Sequence, residues 1–475
     1  MLDLIVRNGT VVTPAGVEHV DIAVADGIVV GLYQSGHGEP PEAARTVDAA
    51  GLLVVPGGID PHVHTNSVLP TAAESGIKCF GPDRVSEGAV HGGTTTLIDF
   101  AHWKPGEELW QSFERKGKEW SGSSYTDYAL HGTFAQPEIP FEVLDQVPEA
   151  VAAGHGSFKV WMTNTTPTRP KQKTDVGHIW ALMEKTAEAG AMLCVHGEDD
   201  DIVMYAYKRL QREQKTAVPY MPDAHNALSE QLSFQRVITL ARHVGAPIYL
   251  MHVSAAEGIE AIREARGREQ PVYGEVLPHY AYYTAEDYKR ENGVIYHTYP
   301  SLKSAADRDA MWHSLVAGTL STLATDGVCT DLDVKTRGQT ILDATGGHAG
   351  VEVRMAVAYT EAVVRRGLPL HRFVDFTSAN AAKIMGLYPH KGAIAIGSDA
   401  DFALLETGLE WRITAADLHE ADYTPWEGYE AAARNRLTVL RGQILVENGA
   451  LRSPSPGGRL LKQSLSSDVA SRPAC

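Results

Sequence analysis

The sequence contains few cysteines and no long apolar segment. Four cysteines occur in 475 residues and none lies close to another along the chain, which excludes a disulfide framework and a cysteine-based zinc site. No uninterrupted apolar run approaches the roughly 20 residues that cross a bilayer. Charge and glycine interrupt the first residues, MLDLIVRNGTVVTPAG, before a signal sequence could form. We therefore expect a cytoplasmic protein that has no membrane partner.

Basic side chains are also fewer than acidic ones. The chain has 42 lysines and arginines against 59 aspartates and glutamates, a net charge of −17. Nonspecific binding to nucleic acid is therefore disfavoured. The composition, with 44% apolar and 21% charged residues, is otherwise that of an ordinary folded protein. A small molecule is the expected partner, and the 20 histidines are candidate residues for a binding site.

Two kinds of pattern divide the chain. Residues 1–56 consist of short alternating apolar runs separated by turn residues, which predict β-hairpins. From residue 57, apolar runs alternate with helix-length amphipathic stretches, which predicts parallel β/α units. Eight such runs lie between Val54 and Gly327: VVPGGIDPHVH, TTTLIDF, YALHGTF, SFKVWMT, AMLCVHGE, IYLMHVS, VYGEVLP and STLATDG. Eight units over this length predict an α/β fold, the (β/α)8 TIM barrel.

Strand-like text returns after residue 385, in GAIAIGSDADFALLE and LTVLRGQILVENGAL. These strands are expected to pair with the N-terminal ones, so that both chain ends form one small β-sandwich. The predicted domains are 1–56 as the first part of the sandwich, 57–385 as the barrel, 386–451 as the second part of the sandwich, and 452–475 as a C-terminal tail.

Residues that can bind metal fall near the ends of five predicted strands. A lone His-x-His motif is weak evidence, because about one is expected by chance in a chain of this histidine content. A lysine inside the apolar run SFKVWMT is costly unless it is paired or neutralised. Because the active sites of β/α barrels form at the carboxyl ends of the strands, we expect six side chains to converge on one metal site: His62, His64, Lys159, His196, His252 and Asp326.

These residues lie in motifs that resemble the amidohydrolase superfamily, in particular its dihydropyrimidinase and hydantoinase branch. The matching segments run in order along nearly the whole chain: GGIDPHVH, GGTTTLIDF, DYALHGTF, SFKVWM, VHGEDDD, HVSAAEGIEAIREAR, YGEVLPHY and NAAKIMGLYPHKGAIAIGSDADFALLE. The resemblance implies two divalent metal ions. One is held by His62, His64 and Asp326, the second by His196 and His252, and a carbamylated Lys159 bridges both.

The resemblance also implies the chemistry of the site. Two cations can lower the pKa of a shared water to about 7 and polarise a carbonyl, and Asp326 would carry the proton from that water to the departing nitrogen. The expected activity is hydrolysis of C–N bonds in cyclic amides of the hydantoin, dihydropyrimidine or imide type. Zinc is the expected metal, with manganese or iron as alternatives, and relatives imply a homotetramer.

The match to this branch is incomplete in the residues that hold substrate. Asn164 stands where the branch has a tyrosine, and Tyr299 and Thr345 stand where it has a serine and an asparagine. Trp161 adds a second aromatic group, and Gly327 replaces the histidine that follows the aspartate. Either these departures are neutral, or the substrate range has shifted towards bulkier or aromatic cyclic amides.

Two other functions remain open from the sequence. The chain could hydrolyse an acyclic amide, a carbamate or a ureide, as an allantoinase does. It could also be one of the dihydropyrimidinase-like assembly proteins without catalytic activity, although those have lost metal ligands and this chain retains all six ligand types.

Overall fold

The structure is a computed structural model that describes residues 1–37, 41–69, 76–453 and 455–475. Each predicted domain except the second part of the sandwich therefore includes a few positions outside the described residues, residue 454 of the tail among them. No helix within the described ranges has both the length and the apolar character needed to span a membrane.

The predicted barrel is confirmed. Its strands pair in parallel and in chain order, with helices between them. The strands are β8 (Gly58–Asp60), β9 (Thr94–His102), β10 (Asp127–Phe134), β11 (Ser157–Trp161), β12 (Met192–His196), β13 (Ile248–Leu250), β14 (Val272–Val276) and β15 (Thr322–Leu323). A parallel bridge between Val63 and Gly327 joins the first strand to the last at their carboxyl ends.

The helices of the barrel lie mainly outside it and bury one apolar face against the strands. They are α1 (Pro82–His91), α2 (Leu109–Trp120), α3 (Phe141–Leu144), α4 (Val147–Ala153), α5 (Val176–Ala189), α6 (Asp200–Arg212), α7 (Met221–Ala224), α8 (Ala227–Val244), α9 (Ala256–Arg266), α10 (Ala305–Ala317), α11 (Leu332–Lys335), α12 (Arg354–Tyr359), α13 (Leu370–Val374) and α14 (Asn380–Ile384).

The two chain ends form the predicted sandwich. One sheet has the order β5-β4-β1-β6 and the other β19-β18-β17-β16-β7-β2-β3. The strands are β1 (Leu2–Arg7), β2 (Thr10–Thr13), β3 (Gly16–Glu18), β4 (Val20–Ala25), β5 (Ile28–Gln34), β6 (Ala43–Asp48), β7 (Leu52–Pro56), β16 (Phe402–Arg412), β17 (Glu430–Leu440), β18 (Gln443–Glu447) and β19 (Ala450–Leu451). Their shared core includes Val6, Ile22, Phe402 and Val439, so it draws on both ends of the chain.

The structure divides the first predicted run, VVPGGIDPHVH, between the two parts of the molecule. β7 ends at Pro56 in the sandwich, and β8 begins at Gly58 in the barrel. Gly57 lies between them so close to Thr95 that a β-carbon there would meet its Oγ1 at 2.1 Å. The chain can therefore cross from sheet to barrel in one residue only because that residue has no side chain.

The C-terminal segment packs on the amino-terminal side of the barrel. It includes the short helix α15 (Ser467–Ser471). The Tyr273 hydroxyl donates to the carbonyls of Val469 and Arg472, at 2.8 and 2.7 Å. Val469 joins the core inside the barrel strands. The tail therefore closes the end of the barrel opposite to the carboxyl ends of the strands.

Candidate active site

The carboxyl ends of the strands surround a cavity of about 740 Å³. Its lining includes all six side chains that the sequence predicts as metal ligands: His62, His64, Lys159, His196, His252 and Asp326. They come from five strands, and the pairing of Trp161 with His196 across β11 and β12 sets two of these strands in register. The barrel therefore brings together residues that are up to 264 positions apart, since Asp326 follows His62 by that number.

His62, His64 and Asp326 form the tightest group. The Nε2 atoms of His62 and His64 lie 3.0 and 3.1 Å from the same carboxylate oxygen, Asp326 Oδ1. The ligand atoms of the three residues all lie within 4.8 Å of one another, as the ligands of a single ion must. The second oxygen, Asp326 Oδ2, accepts a hydrogen bond from Thr298 at 2.8 Å. Thr298 therefore orients the carboxylate.

His196 and His252 form a second group beside the first. Their ring centroids are 4.4 Å apart, and the ring of His252 lies 5.5 Å from that of His62. The backbone of His252 has a φ of +41° and that of Asp326 a φ of +49°. Non-glycine residues seldom adopt this left-handed conformation, and they concentrate at functional sites where the surrounding structure holds them.

Two buried carboxylates fix the orientation of the histidines. The Nδ1 atom of His62 lies 2.8 Å from Glu275, and the Nε2 atom of His196 lies 2.9 Å from Glu198. Each ring therefore presents its other nitrogen to the cavity. Metal-ligating histidines have this arrangement, because the carboxylate sets the tautomer and increases the basicity of the ligating nitrogen.

The electrostatics of the first group favour a positive charge. Burial alone would lower the pKa of His62, but the carboxylates of Glu275 and Asp326 outweigh that effect and raise it to about 9. For Asp326 burial would raise the pKa, and the neighbouring His62 and His64 instead hold it well below its usual range. The carboxylates of Glu275 and Asp326 thus favour a positive charge beside them, which a protonated His62 can supply. A divalent cation next to a neutral His62 would supply it equally well.

Lys159 is buried without a carboxylate partner among the described residues. Its side chain is about 1% exposed, and Nζ lies 2.8 Å from the sulfur of Met251. Burial lowers the pKa of Lys159 to about 8. The amine is therefore much closer to its neutral, nucleophilic form at neutral pH than an exposed lysine is.

The structure separates the predicted substrate-binding residues into two pairs. Trp161 and Tyr299 line the cavity, whereas Asn164 and Thr345 are not part of its lining. The amide of Asn164 instead donates to Asp200 at 3.0 Å. The Thr345 carbonyl accepts a hydrogen bond from Lys335 at 2.6 Å.

Steric crowding explains why a glycine, Gly327, follows Asp326. A β-carbon on Gly327 would lie 2.8 Å from Cγ2 of Val351, so a histidine would not fit unless Val351 or the backbone shifted. The orientation of Asp326 therefore depends on Thr298 here and not on the residue that follows it.

Several residues of the site escaped the sequence analysis. The carboxylates Glu198 and Glu275 carried a usable signal, because each is a charged residue in or beside a run that is otherwise apolar, just as Lys159 is. No feature of the sequence marks Thr298 as part of the site. His102 and Arg169 also line the cavity, and the ring of His102 stacks on Trp161 with centroids 5.9 Å apart.

Comparison with known proteins agrees with this geometry. The model of the amidohydrolase family matches residues 53–445. A D-hydantoinase of Ralstonia pickettii is 32% identical over 469 residues, which cover 97% of this chain and 99% of the relative. A D-hydantoinase of Geobacillus stearothermophilus is 30% identical, with 94% and 93% covered. The crystal structure of a dihydropyrimidinase from Brevibacillus agri superposes with a TM-score of 0.91 at 28% identity, covering 98% and 100%.

Proposed function

We propose that this chain, which belongs to the amidohydrolase family, is a metal-dependent hydrolase that opens cyclic amides of the hydantoin and dihydropyrimidine type. One observation carries the proposal: the six predicted ligands line one cavity, and Glu275 and Glu198 hold the far nitrogens of His62 and His196. The names of the similar proteins, D-hydantoinase and dihydropyrimidinase, support the same activity.

The donor set of the cavity fits two divalent cations. His62, His64 and Asp326 would hold one, and His196 and His252 would hold the other. Such cations, zinc by this mixture of nitrogen and oxygen donors and manganese or iron as alternatives, supply an activated water and polarise the amide carbonyl. The remaining work falls to the side chains of the chain itself.

Lys159 is suited to carry a carboxylate. Its neutral amine can add to carbon dioxide, so that an N–C bond forms and one proton is released to solvent. The product would replace a buried cation by an anion, whose two oxygens would serve as ligands for the two metal ions. The absence of a carboxylate partner for Nζ among the described residues supports this role.

Asp326 is suited to move the proton. Hydrolysis adds water to the amide: the carbonyl carbon gains an oxygen, the C–N bond breaks, and the nitrogen takes a proton. One oxygen of Asp326 faces His62 and His64 while Thr298 holds the other, so the carboxylate keeps a fixed direction as it accepts and returns that proton.

The aromatic wall of Trp161 and Tyr299 supports a shifted substrate range. Both rings line the cavity, and such rings favour ring substituents larger than hydrogen. We therefore place substituted hydantoins ahead of dihydrouracil. Acyclic amides and ureides remain the second candidate class, and a non-catalytic assembly role is disfavoured because all six ligand types are present. The tetramer remains a prediction, to be tested by light scattering in solution.

The decisive experiment measures bound metal together with ring opening. Protein produced with zinc, manganese and iron available should contain about two ions per chain and should hydrolyse substituted hydantoins faster than dihydrouracil, cyclic imides and aryl amides. Asp326→Asn should fold but lose about 10²–10⁴-fold in kcat, whereas Asp333→Asn on the surface should not. Metal-free protein, or full activity in Asp326→Asn, would contradict the mechanism. Dihydrouracil as the best substrate would contradict the shifted range.

A further inference from the structure

The cavity lining has the opposite charge to the rest of the molecule. The chain carries a net charge of −17, yet the lining includes two acidic side chains, Glu119 and Asp326, and seven basic ones: Lys78, Lys104, Arg115, Lys116, Lys159, Arg169 and Lys171. Charge of one sign in a concave site raises the local concentration of the opposite charge. The basic lining therefore favours a negatively charged substrate.

Three of the basic side chains have a role within the structure. Arg115 pairs with Glu107, and Lys116 pairs with Asp99. Lys159 belongs to the group of predicted metal ligands. The other four form no ion pair with any residue in the described ranges: Lys78, Lys104, Arg169 and Lys171. We call these four the mouth cations.

Arg169 is half-buried, whereas the other three mouth cations are exposed. Burial lowers its pKa to about 10, against a smaller opposing effect of Tyr299. No carboxylate of the described chain lies within 4.0 Å of its guanidinium. Even partial burial of a charge without a partner is unfavourable, so a counter-charge that arrives with the substrate would stabilise Arg169 in this position.

The loop that carries Arg169 is braced. Asn164 donates to Asp200 at its start, and the Oδ1 of Asn164 accepts from the backbone amides of Gln172 and Lys173 at 3.0 and 3.2 Å. The Arg169 amide donates to the carbonyl of Thr166 at 3.0 Å. Asn164 thus fixes the path of the loop, which places the backbone of Arg169 beside the cavity.

The three lysines are exposed and come from different loops. Lys78 precedes α1, Lys104 follows β9, and Lys171 lies in the braced loop between β11 and α5. All three loops lie at the carboxyl ends of the strands, where the cavity opens. The lysines therefore surround the entrance, while Arg169 lies deeper.

We propose that the substrate bears a carboxylate on the side remote from the scissile amide, and that Arg169 binds it. The planar guanidinium matches a carboxylate with two parallel hydrogen bonds. A single half-buried cation balances one negative charge, which favours a carboxylate over a phosphate dianion. The substrate class is then a cyclic ureide with a carboxyalkyl substituent, such as 5-(2-carboxyethyl)hydantoin. This inference rests on the proposed ring-opening activity.

The test compares two substrates that differ only in charge. 5-(2-Carboxyethyl)hydantoin and its carboxamide, 5-(2-carbamoylethyl)hydantoin, have nearly the same size and shape. The metal-loaded wild-type enzyme should prefer the carboxylate by about tenfold or more in kcat/KM, mainly through KM, which is the scale of one charge-assisted contact. Arg169→Gln should bring this ratio close to one. Arg169→Lys should retain part of it, because the charge remains while the planar fork is lost. Arg212→Gln, a surface change on α6, should retain all of it.

The outcomes separate this inference from the function on which it rests. Turnover of the carboxamide as fast as the carboxylate would overturn the inference and leave the ring-opening activity standing. A preference that survives in Arg169→Gln would overturn the assignment to Arg169. An enzyme that opens neither compound and no other hydantoin would overturn both. Circular dichroism of each variant excludes misfolding as the cause of a lost preference.

Discussion

Two regions of the cavity differ in how their side chains are held. The floor consists of the predicted metal ligands at the strand ends, and the mouth consists of the loops that carry the four mouth cations. At the floor, strand ends present His62, His196 and Asp326, and buried partners such as Glu275 hold them in place. At the mouth, loops present four cations that have no ion pair within the described part of the chain. His62, His196 and Asp326 of the floor have hydrogen-bond partners behind them, whereas the four mouth cations lack a counter-charge among the described residues. Under the function proposed above, the floor performs the chemistry and the mouth selects what is brought to it.

The largest effect is expected at the floor, from Lys159→Ala. The variant has no amine to carry the proposed bridging carboxylate, so it should bind fewer than two ions per chain and lose at least about 10²–10³-fold in kcat, the scale of one lost electrostatic contact to the transition state. Metal analysis and steady-state kinetics measure both. A short carboxylic acid such as propionate should restore part of the activity.

The matched control is Lys118→Ala, which removes an exposed lysine of α2. It should leave metal content and kcat unchanged. If Lys159→Ala retained two ions and wild-type turnover, the lysine would have no bridging role. Lys159 would then not belong to the part of the cavity that determines metal content and kcat.

A smaller effect is expected one layer below the floor, from Glu275→Gln. Glu275 accepts hydrogen bonds from His62 Nδ1 at 2.8 Å, from the His252 amide at 3.0 Å and from the Tyr249 hydroxyl at 2.8 Å. The amide keeps the shape but removes the charge that would make His62 a stronger metal ligand. Metal affinity or activity should fall by about 10–100-fold.

Chelator titration measures the affinity of this variant, and Glu260→Gln on the exposed face of α9 is its control. Equal metal retention in the two variants would show that the charge of Glu275 does not support the site. The comparison between floor and mouth would then rest on the ligands alone.

The sequence was a better guide to the floor than to the mouth, for a physical reason. Strand ends are marked by apolar runs, and the closure of the barrel brings their last residues together whatever the loops do. Even the overlooked Glu275 is visible as a charge inside VYGEV. The path of a loop depends instead on contacts between distant residues. The bond from Asn164 to Asp200 turns the Asn164 side chain away from the cavity, and no local pattern reveals it.

The sequence was informative about the fold for the same reason. The eight barrel strands and the sandwich made from both chain ends follow from apolar periodicity. The break between β7 and β8 does not, because it depends on the close approach of Gly57 to Thr95. The packing of the tail under the barrel, through the hydroxyl of Tyr273, is likewise a contact between residues about 200 positions apart.

The smallest effect is expected at the mouth, from Lys104→Gln. An exposed cation at the entrance steers an anion as it approaches, and salt screens this attraction because the Debye length is about 10 Å at 0.1 M ionic strength. For the carboxylate-bearing hydantoin, kcat/KM should therefore fall as salt rises, by roughly two- to threefold, and Lys104→Gln should flatten that dependence. Values for kcat, and all values for the carboxamide, should stay level. Lys208→Gln on α6 is the control, and an identical salt slope in both variants would remove Lys104 from the steering role.

Floor variants should change kcat and metal content whatever the charge of the substrate, whereas mouth variants should act through KM and only on the anion. An enzyme in which both kinds of variant changed the same parameter would have one functional region where the structure indicates two.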